Sequence, residues 1–432
     1  MRLPAALSRL ALSRLSLFAL APFALVAAPA GAASQTPEQV AAAALKAAPV
    51  WDGHNDVPEQ LRGRWQDRIA GFDFTDTTGT ADPAHGHIAM HTDLARLRKG
   101  KVGAQIWSVY VSAALTDQQA VQAVMEQIDV TKRLIAKYPD DLQYADSAAG
   151  VEAAMKAGKI ASLMGMEGGY AIGSSAGVLR QFHALGVRYM TLAHYKSTNW
   201  ADSATDAPRN NGLSPLGKDI VREMQRIGMM VDLAHVSSKT MMDALDVARA
   251  PVIFSHSGAR AIDDHPRNVP DEVLARVKTN GGIVMVVSLP AYVSQKARDW
   301  EVARAGQRAA LAARWAEDPD HAKADLAAWE QANPAPRSTL ADLADHVDHV
   351  IKVAGIDHVG LGGDFDGMGQ GTQGFDDVSY YPALFVELAR RGHSQADLEK
   401  IASRNLMRVL KATEAYAAAH RADPALETPT AF

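Results

Sequence analysis

Eight short apolar runs alternate with amphipathic helical segments along this chain, and that alternation limits the fold more than any other feature. The runs are P-V-W-D-G-H (49–54), V-G-A-Q-I-W-S-V-Y-V (102–111), I-A-S-L-M-G-M-E (160–167), V-R-Y-M-T-L-A-H (187–194), M-M-V-D-L-A-H (229–235), P-V-I-F-S-H (251–256), G-I-V-M-V-V-S (282–288) and H-V-G-L-G-G-D (358–364). Most are apolar at nearly every position, as strands are when both faces are covered. Between them, residues 115–135 carry apolar side chains at three- and four-residue spacing, the period of a helix with one buried face. Residues 214–228 open on Ser-Pro and stop at Gly, and residues 271–282 open on Asp and close with Asn-Gly-Gly. Both are helix start and stop signals. Strand and helix in this order predict an α/β fold, a (β/α)8 TIM barrel. No internal repeat is present.

Two segments interrupt the rhythm. Residues 62–98 read as a polar connection, and residues 294–336 as a helical insertion, a hairpin before the last strand. The barrel domain is expected over 34–412, and the Ala-rich tail 413–432 is expected to pack loosely or not at all. Residues 1–33 have the order of a secretory signal. Three arginines and no acid come first, then the apolar L-S-L-F-A-L-A-P-F-A-L-V-A-A, then small residues. Cleavage is expected after Ala32 or Ala33, giving a periplasmic or secreted bacterial protein without a membrane anchor. The formal charge is −5 and no basic stripe appears, so no nucleic-acid partner is expected. The chain has no cysteine; any metal site must use nitrogen and oxygen donors.

In such a barrel the reactive residues stand at the C-terminal ends of the strands. Here those ends carry His54 and Asp56, Glu167, His194, His235, His256 and Asp364. Each alone is an ordinary capping or core residue. Seven donors on one rim suit metal ions, and hydrolytic pairs of zinc ions sit roughly 3.5–4 Å apart around a bridging ligand. A carboxylate can bridge and an imidazole seldom does, so Glu167 is the candidate bridge. Gly168 and Gly169, which follow it, let the backbone come close. The H-G-H of residues 85–87 follows no strand. His346 and His349 fall at i, i+3 on a helical pattern, where a solvent face is expected; neither group is assigned to metal.

The motifs D-G-H-N-D, G-M-E-G-G, L-A-H-Y-K-S-T-N-W-A-D, D-L-A-H-V-S, F-S-H-S and G-G-D-F-D-G occur in that order between residues 48 and 410. In them the chain resembles the membrane (renal) dipeptidase family of binuclear zinc peptidases. The resemblance implies a barrel of the metal-dependent hydrolase type and two zinc ions bridged by Glu167 and a water or hydroxide. It implies His54 and Asp56 on the first zinc and His235 and His256 on the second. His194 would contact the scissile carbonyl oxygen, Arg267 in R-N-V-P-D would hold the substrate carboxylate, and Asp364 would serve as acid/base. The substrates implied are free dipeptides, including those with a C-terminal D-residue, and a homodimer is usual in the family. A binuclear hydrolase acting on a β-lactam, an N-acyl amino acid or a lactone is the alternative. The chain departs from the pattern in the added polar groups Arg260 and His265 before the arginine motif.

Overall fold

The computed structural model describes residues 35–429; the segment read as a signal, 1–33, lies outside the described residues. Nine strands form: β1 Val50–Asn55, β2 Val102–Tyr110, β3 Leu142–Tyr144, β4 Ile160–Glu167, β5 Val187–Thr191, β6 Met230–Asp232, β7 Ile253–Phe254, β8 Ile283–Val286 and β9 Val359–Leu361. All pair in parallel, in the order β2-β1-β9-β8-β7-β6-β5-β4, and β2 pairs again with β4 to close the ring. This is the expected (β/α)8 barrel. The short β3 lies outside the ring, against residues 160–162 of β4. It went unread because three residues give too short a stretch for a period to show.

Side chains from most of the ring strands fill the barrel interior. Trp51, Ile106, Leu163, Tyr189, Met230 and Ile283 pack together there, with Leu406, Val409 and Leu410 from the final helix Asn405–Ala419 against them. Gly165 makes the room for one of them: any side chain at that position would run into the Tyr189 ring. This local choice matters later, because Tyr189 supports the first histidine of the site.

The helix signals hold with one adjustment. The first expected helix runs Asp117–Lys137, with Thr116 and Gln119 forming a capping box. Ser214 caps Pro215–Ile227, and Gly228 ends it at φ +85°, where glycine meets no steric penalty. In Asp271–Asn280 the capping position belongs to Pro270, and Asp271 is the first helical residue. The insertion is the expected hairpin, built from Gln295–Arg314 and Pro319–Ala332.

Two expectations are corrected. The tail is not loose: the last helix extends to Ala419, with Thr413 buried and the Glu414 carboxylate accepting the Ala148 amide at 2.7 Å. Beyond it, the Leu426 amide donates to Glu223. His346 is not on a solvent face but fully buried. It shares the apolar stripe of Leu343, Val347 and Val350 on Leu340–Ala354, which the i, i+3 spacing to His349 obscured. His349 itself reaches Asp271 at 2.7 Å.

Candidate metal centre

His54 and Glu167 stand within β1 and β4, but four strands end earlier than the apolar runs suggested, and their site residues sit on the turns just past them. β5, β6 and β9 stop at Thr191, Asp232 and Leu361, three residues before His194, His235 and Asp364. His235 and Asp364 have φ of +66° and +61°, a left-handed conformation that costs a non-glycine residue about 1 kcal/mol or more. The backbone leaves the ladder there to turn both side chains over the barrel mouth. Gly168, at φ +109°, makes the turn directly after Glu167.

Glu167 is the centre of the arrangement, and its two oxygens face different partners. Oε2 lies 3.5 Å from His54 Nε2. Oε1 lies 2.9 Å from His235 Nε2, 3.3 Å from His256 Nε2 and 3.5 Å from His194 Nε2. On the first side, His54 Nε2 is 3.4 Å from Asp56 Oδ2 and 3.9 Å from Asp364 Oδ1. Three donor groups result: His54, Glu167 and His256; Glu167, His194 and His235; and His54, Asp56 and Asp364. All of these residues are buried.

The donor set fits metal ions. His54 Nε2 and Asp56 Oδ1 are buried and meet no hydrogen-bond partner, an arrangement that costs free energy unless something else satisfies them. Burial, reinforced by the Arg267 charge and neighbouring imidazoles, holds His235 and His256 well below the ordinary histidine range. Both are therefore neutral, the form that ligates. Burial also brings His194 down to about 4. The Glu167 carboxyl lies well below its usual range: burial opposes this, but His54, His194 and the hydrogen bonds of the other histidines outweigh it. Asp364 moves the opposite way, raised by burial and by the Asp56 charge.

A shell of supports orients the donors. His54 Nδ1 meets the Tyr189 hydroxyl at 2.7 Å. His256 Nδ1 meets Ser255 Oγ at 2.9 Å, and Ser255 Oγ donates to Asp232 at 2.6 Å. Such partners fix ring orientation and tautomer. Arg267 lies beside this set, fully buried. Its guanidinium donates to the His256 carbonyl at 3.2 Å and stacks 5.3 Å from the Tyr292 ring. It forms no ion pair among the described residues. Arg260 and His265 do not line the cleft. Arg260 bonds Ser238 and the Pro266 carbonyl, while His265 Nδ1 accepts the Arg267 amide at 3.1 Å and packs on Tyr292.

A cleft of about 110 Å³ opens onto the donors. Asp56, Glu167, His194, His235 and Asp364 line it. So do Glu59, Tyr110, Tyr195 and Tyr292, none of which sequence reasoning found. The H-G-H segment stays away, with His85 held by Asp82 at 2.7 Å on an exposed turn.

A closed parallel barrel with buried histidine and carboxylate donors at its C-terminal mouth defines a metal-dependent hydrolase. The chain belongs to the membrane dipeptidase family, peptidase family M19, whose sequence pattern matches residues 38–424. It is 41% identical over 394 residues to an uncharacterized dipeptidase of Schizosaccharomyces pombe, covering 88% of this chain and 84% of the relative. It is 42% identical to the dipeptidase tcpJ of Claviceps purpurea, covering 86% of this chain and 78% of that one. Among solved structures, the fold is similar to the probable dipeptidase PvdM from Pseudomonas aeruginosa. That match has a TM-score of 0.75 at 24% identity and covers 88% of this chain and 99% of that chain. It is also similar to a metallo peptidase from Rhodobacter sphaeroides liganded with a phosphinate mimic of the dipeptide L-Ala-D-Ala. There the TM-score is 0.69 at 23% identity, over 85% and 99% of the two chains. The chain is thus a dipeptidase acting on small peptides. The two curated relatives are fungal, and they lend no support to the expectation of a bacterial exported protein. Among the described residues no helix is long and apolar enough to cross a membrane.

Proposed function

We propose that this dipeptidase hydrolyses free dipeptides with two zinc ions, and accepts a D-residue on the C-terminal side. The observation that carries the reading is the division of Glu167: one oxygen faces His54 and the other faces His235 and His256. A carboxylate placed so can lie between two ions. His54 and Asp56 would hold one, His235 and His256 the other. When bound, such a pair supplies an activated water near neutral pH and polarises the scissile carbonyl.

The remaining steps belong to side chains. His194 is buried and neutral at the cleft wall, so its ring N–H can donate to the carbonyl oxygen as charge develops there. Asp364, beside Asp56 and His54, takes the proton of the attacking water and returns it to the leaving amine. Arg267 supplies a buried, unpaired guanidinium. Its planar fork matches a carboxylate, which selects substrates that end one residue past the scissile bond. We further propose export to a periplasmic or extracellular space on the strength of the N-terminal signal pattern, and a homodimer on the strength of the family resemblance.

The test is release of free amino acids from L-Ala-D-Ala, L-Ala-L-Ala and their N-acetylated forms by purified protein, with and without a chelator. Chelator-sensitive cleavage of the free dipeptides is expected. No cleavage by protein carrying two zinc ions would move the substrate to the β-lactam, N-acyl amino acid or lactone class.

A further inference from the structure

Glu59 is the one carboxylate lining the cleft that joins none of the three donor groups. It stands in the first turn of helix Val57–Trp65, directly after the metal-site residue Asp56. An acid at this helical position ordinarily serves the helix, through a capping box or the favourable end of the helix dipole. The capping box is absent. Asp56 makes no side-chain capping bond, and its amide donates to the Phe365 carbonyl at 2.9 Å.

Glu59 also lacks a protein cation. Its carboxylate makes no hydrogen bond or ion pair among the described residues. The arginines of its own helix are engaged elsewhere: Arg62 with Asp67 and Glu126, Arg64 with the carbonyls of Thr80 and Ile88. The side chain is only partly buried and opens into the cleft. Gln60, the next residue, donates to the Asp366 carbonyl at 2.6 Å and pins this turn against the loop that carries Asp364. No protein cation neutralises it, so the carboxylate is open to a cation that the substrate brings into the cleft.

The two unpaired charges of the site differ in sign and in neighbourhood. Arg267 adjoins His256 and Tyr292, on the His235 and His256 side of the donors, while Glu59 lines the cleft one helical turn from Asp56, on the His54 side. With the substrate carboxylate at Arg267 and the scissile carbonyl at the donors, the N-terminal residue of the dipeptide extends toward Glu59.

We infer that Glu59 is the anionic subsite for the positively charged group of the substrate's N-terminal residue, an α-ammonium or a lysine or arginine side chain. The inference rests on the dipeptidase reading above and adds a specificity to it. Glu59 binds and orients; it does not touch the reacting atoms.

The experiment compares wild type with Glu59→Gln, both zinc-loaded, on L-Lys-D-Ala, L-Arg-D-Ala, L-Ala-D-Ala and L-Glu-D-Ala. The variant is expected to keep its metal content and to lose at least tenfold in kcat/KM, mainly through KM. A loss confined to the lysine and arginine substrates assigns the subsite to the side chain. A loss common to all four assigns it to the α-ammonium. Changes under twofold throughout, a fall in kcat with KM unmoved, or a loss of metal would each overturn the inference. Titration calorimetry of L-Lys-D-Ala into Asp364→Asn and into Asp364→Asn/Glu59→Gln reads the same contact without turnover. If wild type cleaves no dipeptide yet Glu59→Gln weakens this binding tenfold, the reaction assignment fails and the cation subsite stands. Equal binding by the two proteins overturns the subsite.

Discussion

The two halves of the proposed metal centre are built on the same backbone device and then finished differently. In the first half, Asp52 on β1 is fully buried, and its Oδ1 accepts the His54 amide at 3.0 Å and the Gly363 amide from the turn after β9 at 2.9 Å. In the second, Asp232 on β6 is equally buried, and its Oδ1 accepts the Ala234 amide at 3.1 Å and the Ser255 amide from the turn after β7 at 2.9 Å. Each aspartate holds its own strand end and that of a neighbour, and each hold sets where a histidine begins. The second oxygens part company. Asp232 Oδ2 takes two hydroxyls at 2.6 Å, from Thr191 and Ser255, and Ser255 continues to His256. Asp52 Oδ2 takes no such pair of hydroxyls; the buried Tyr381 hydroxyl is its one polar neighbour, outside strict hydrogen-bond geometry, and His54 leans on Tyr189 instead. One half is an ion-fed chain of hydrogen bonds; the other is a single phenol packed over a glycine.

Glu167 is the one residue that belongs to both halves, so Glu167→Ala should break them together. Losing the shared ligand removes several kcal/mol of transition-state stabilisation, on the order of 10³-fold or more in kcat/KM. Elemental analysis of the purified variant should show both ions lost or weakly held. A variant that retains one ion at full affinity would show the halves to be independent.

The next largest effect should separate them. Asp232→Asn cannot accept the two hydroxyls with its amide nitrogen, so the support of His256 collapses. About a 100-fold loss in metal affinity or activity is expected, the upper end for such outer partners. Asp52→Asn can turn its nitrogen toward the Tyr381 hydroxyl, whose oxygen can accept from it, and should lose tenfold at most. Metal titrations of the two variants measure the ratio directly. Equal losses would mean that the backbone hold, common to both, is what matters.

Tyr189→Phe probes the remaining support. The ring volume over Gly165 is kept and only the 2.7 Å contact to His54 Nδ1 is removed. About a tenfold drop in affinity for the ion on the His54 side is expected, with the His235 and His256 side unchanged. Spectroscopy of the cobalt-substituted protein, titrated stepwise, distinguishes the two ions. A drop on the wrong side would refute the pairing of support and ligand.

The same contrast marks what the sequence could tell. The barrel was legible because eight buried parallel strands leave eight apolar runs, and the seven rim donors because His, Asp and Glu at strand ends are few. The D-x-H spacing of Asp52 and His54 nearly recurs in D-L-A-H at Asp232 and His235, and that near-repeat was the available signal for the two supporting aspartates. Tyr189 and Ser255 carried none, since a phenol or a serine near a strand end looks like core or surface until the fold brings its partner across. Glu59 was hidden by its position, where an acid in a first helical turn needs no further reason. Arg267 was reached only through family resemblance; its buried, unpaired state is a property of the fold.

A histidine of equal burial outside the centre sharpens the comparison further. His346 is satisfied by backbone alone: Nδ1 accepts the Ala259 amide at 2.8 Å and Nε2 donates to the Val293 carbonyl at 3.1 Å. It needs no metal, and burial takes its pKa down to about 4 against about 6.5 in the unfolded chain. Because the folded state binds the proton less readily, its contribution is fully present above about pH 6.5 and is lost as the pH falls toward 4. Between about pH 7 and 5.5 that loss amounts to about 1 kcal/mol. Urea midpoints of zinc-loaded wild type and His346→Asn across this range isolate the term, because metal release at low pH is common to both. The wild-type curve should fall more steeply than that of the variant. Parallel curves would mean that the folded state takes up the proton at His346 as readily as the unfolded chain does, and that burial without a metal leaves a histidine no more pH-sensitive than its surroundings.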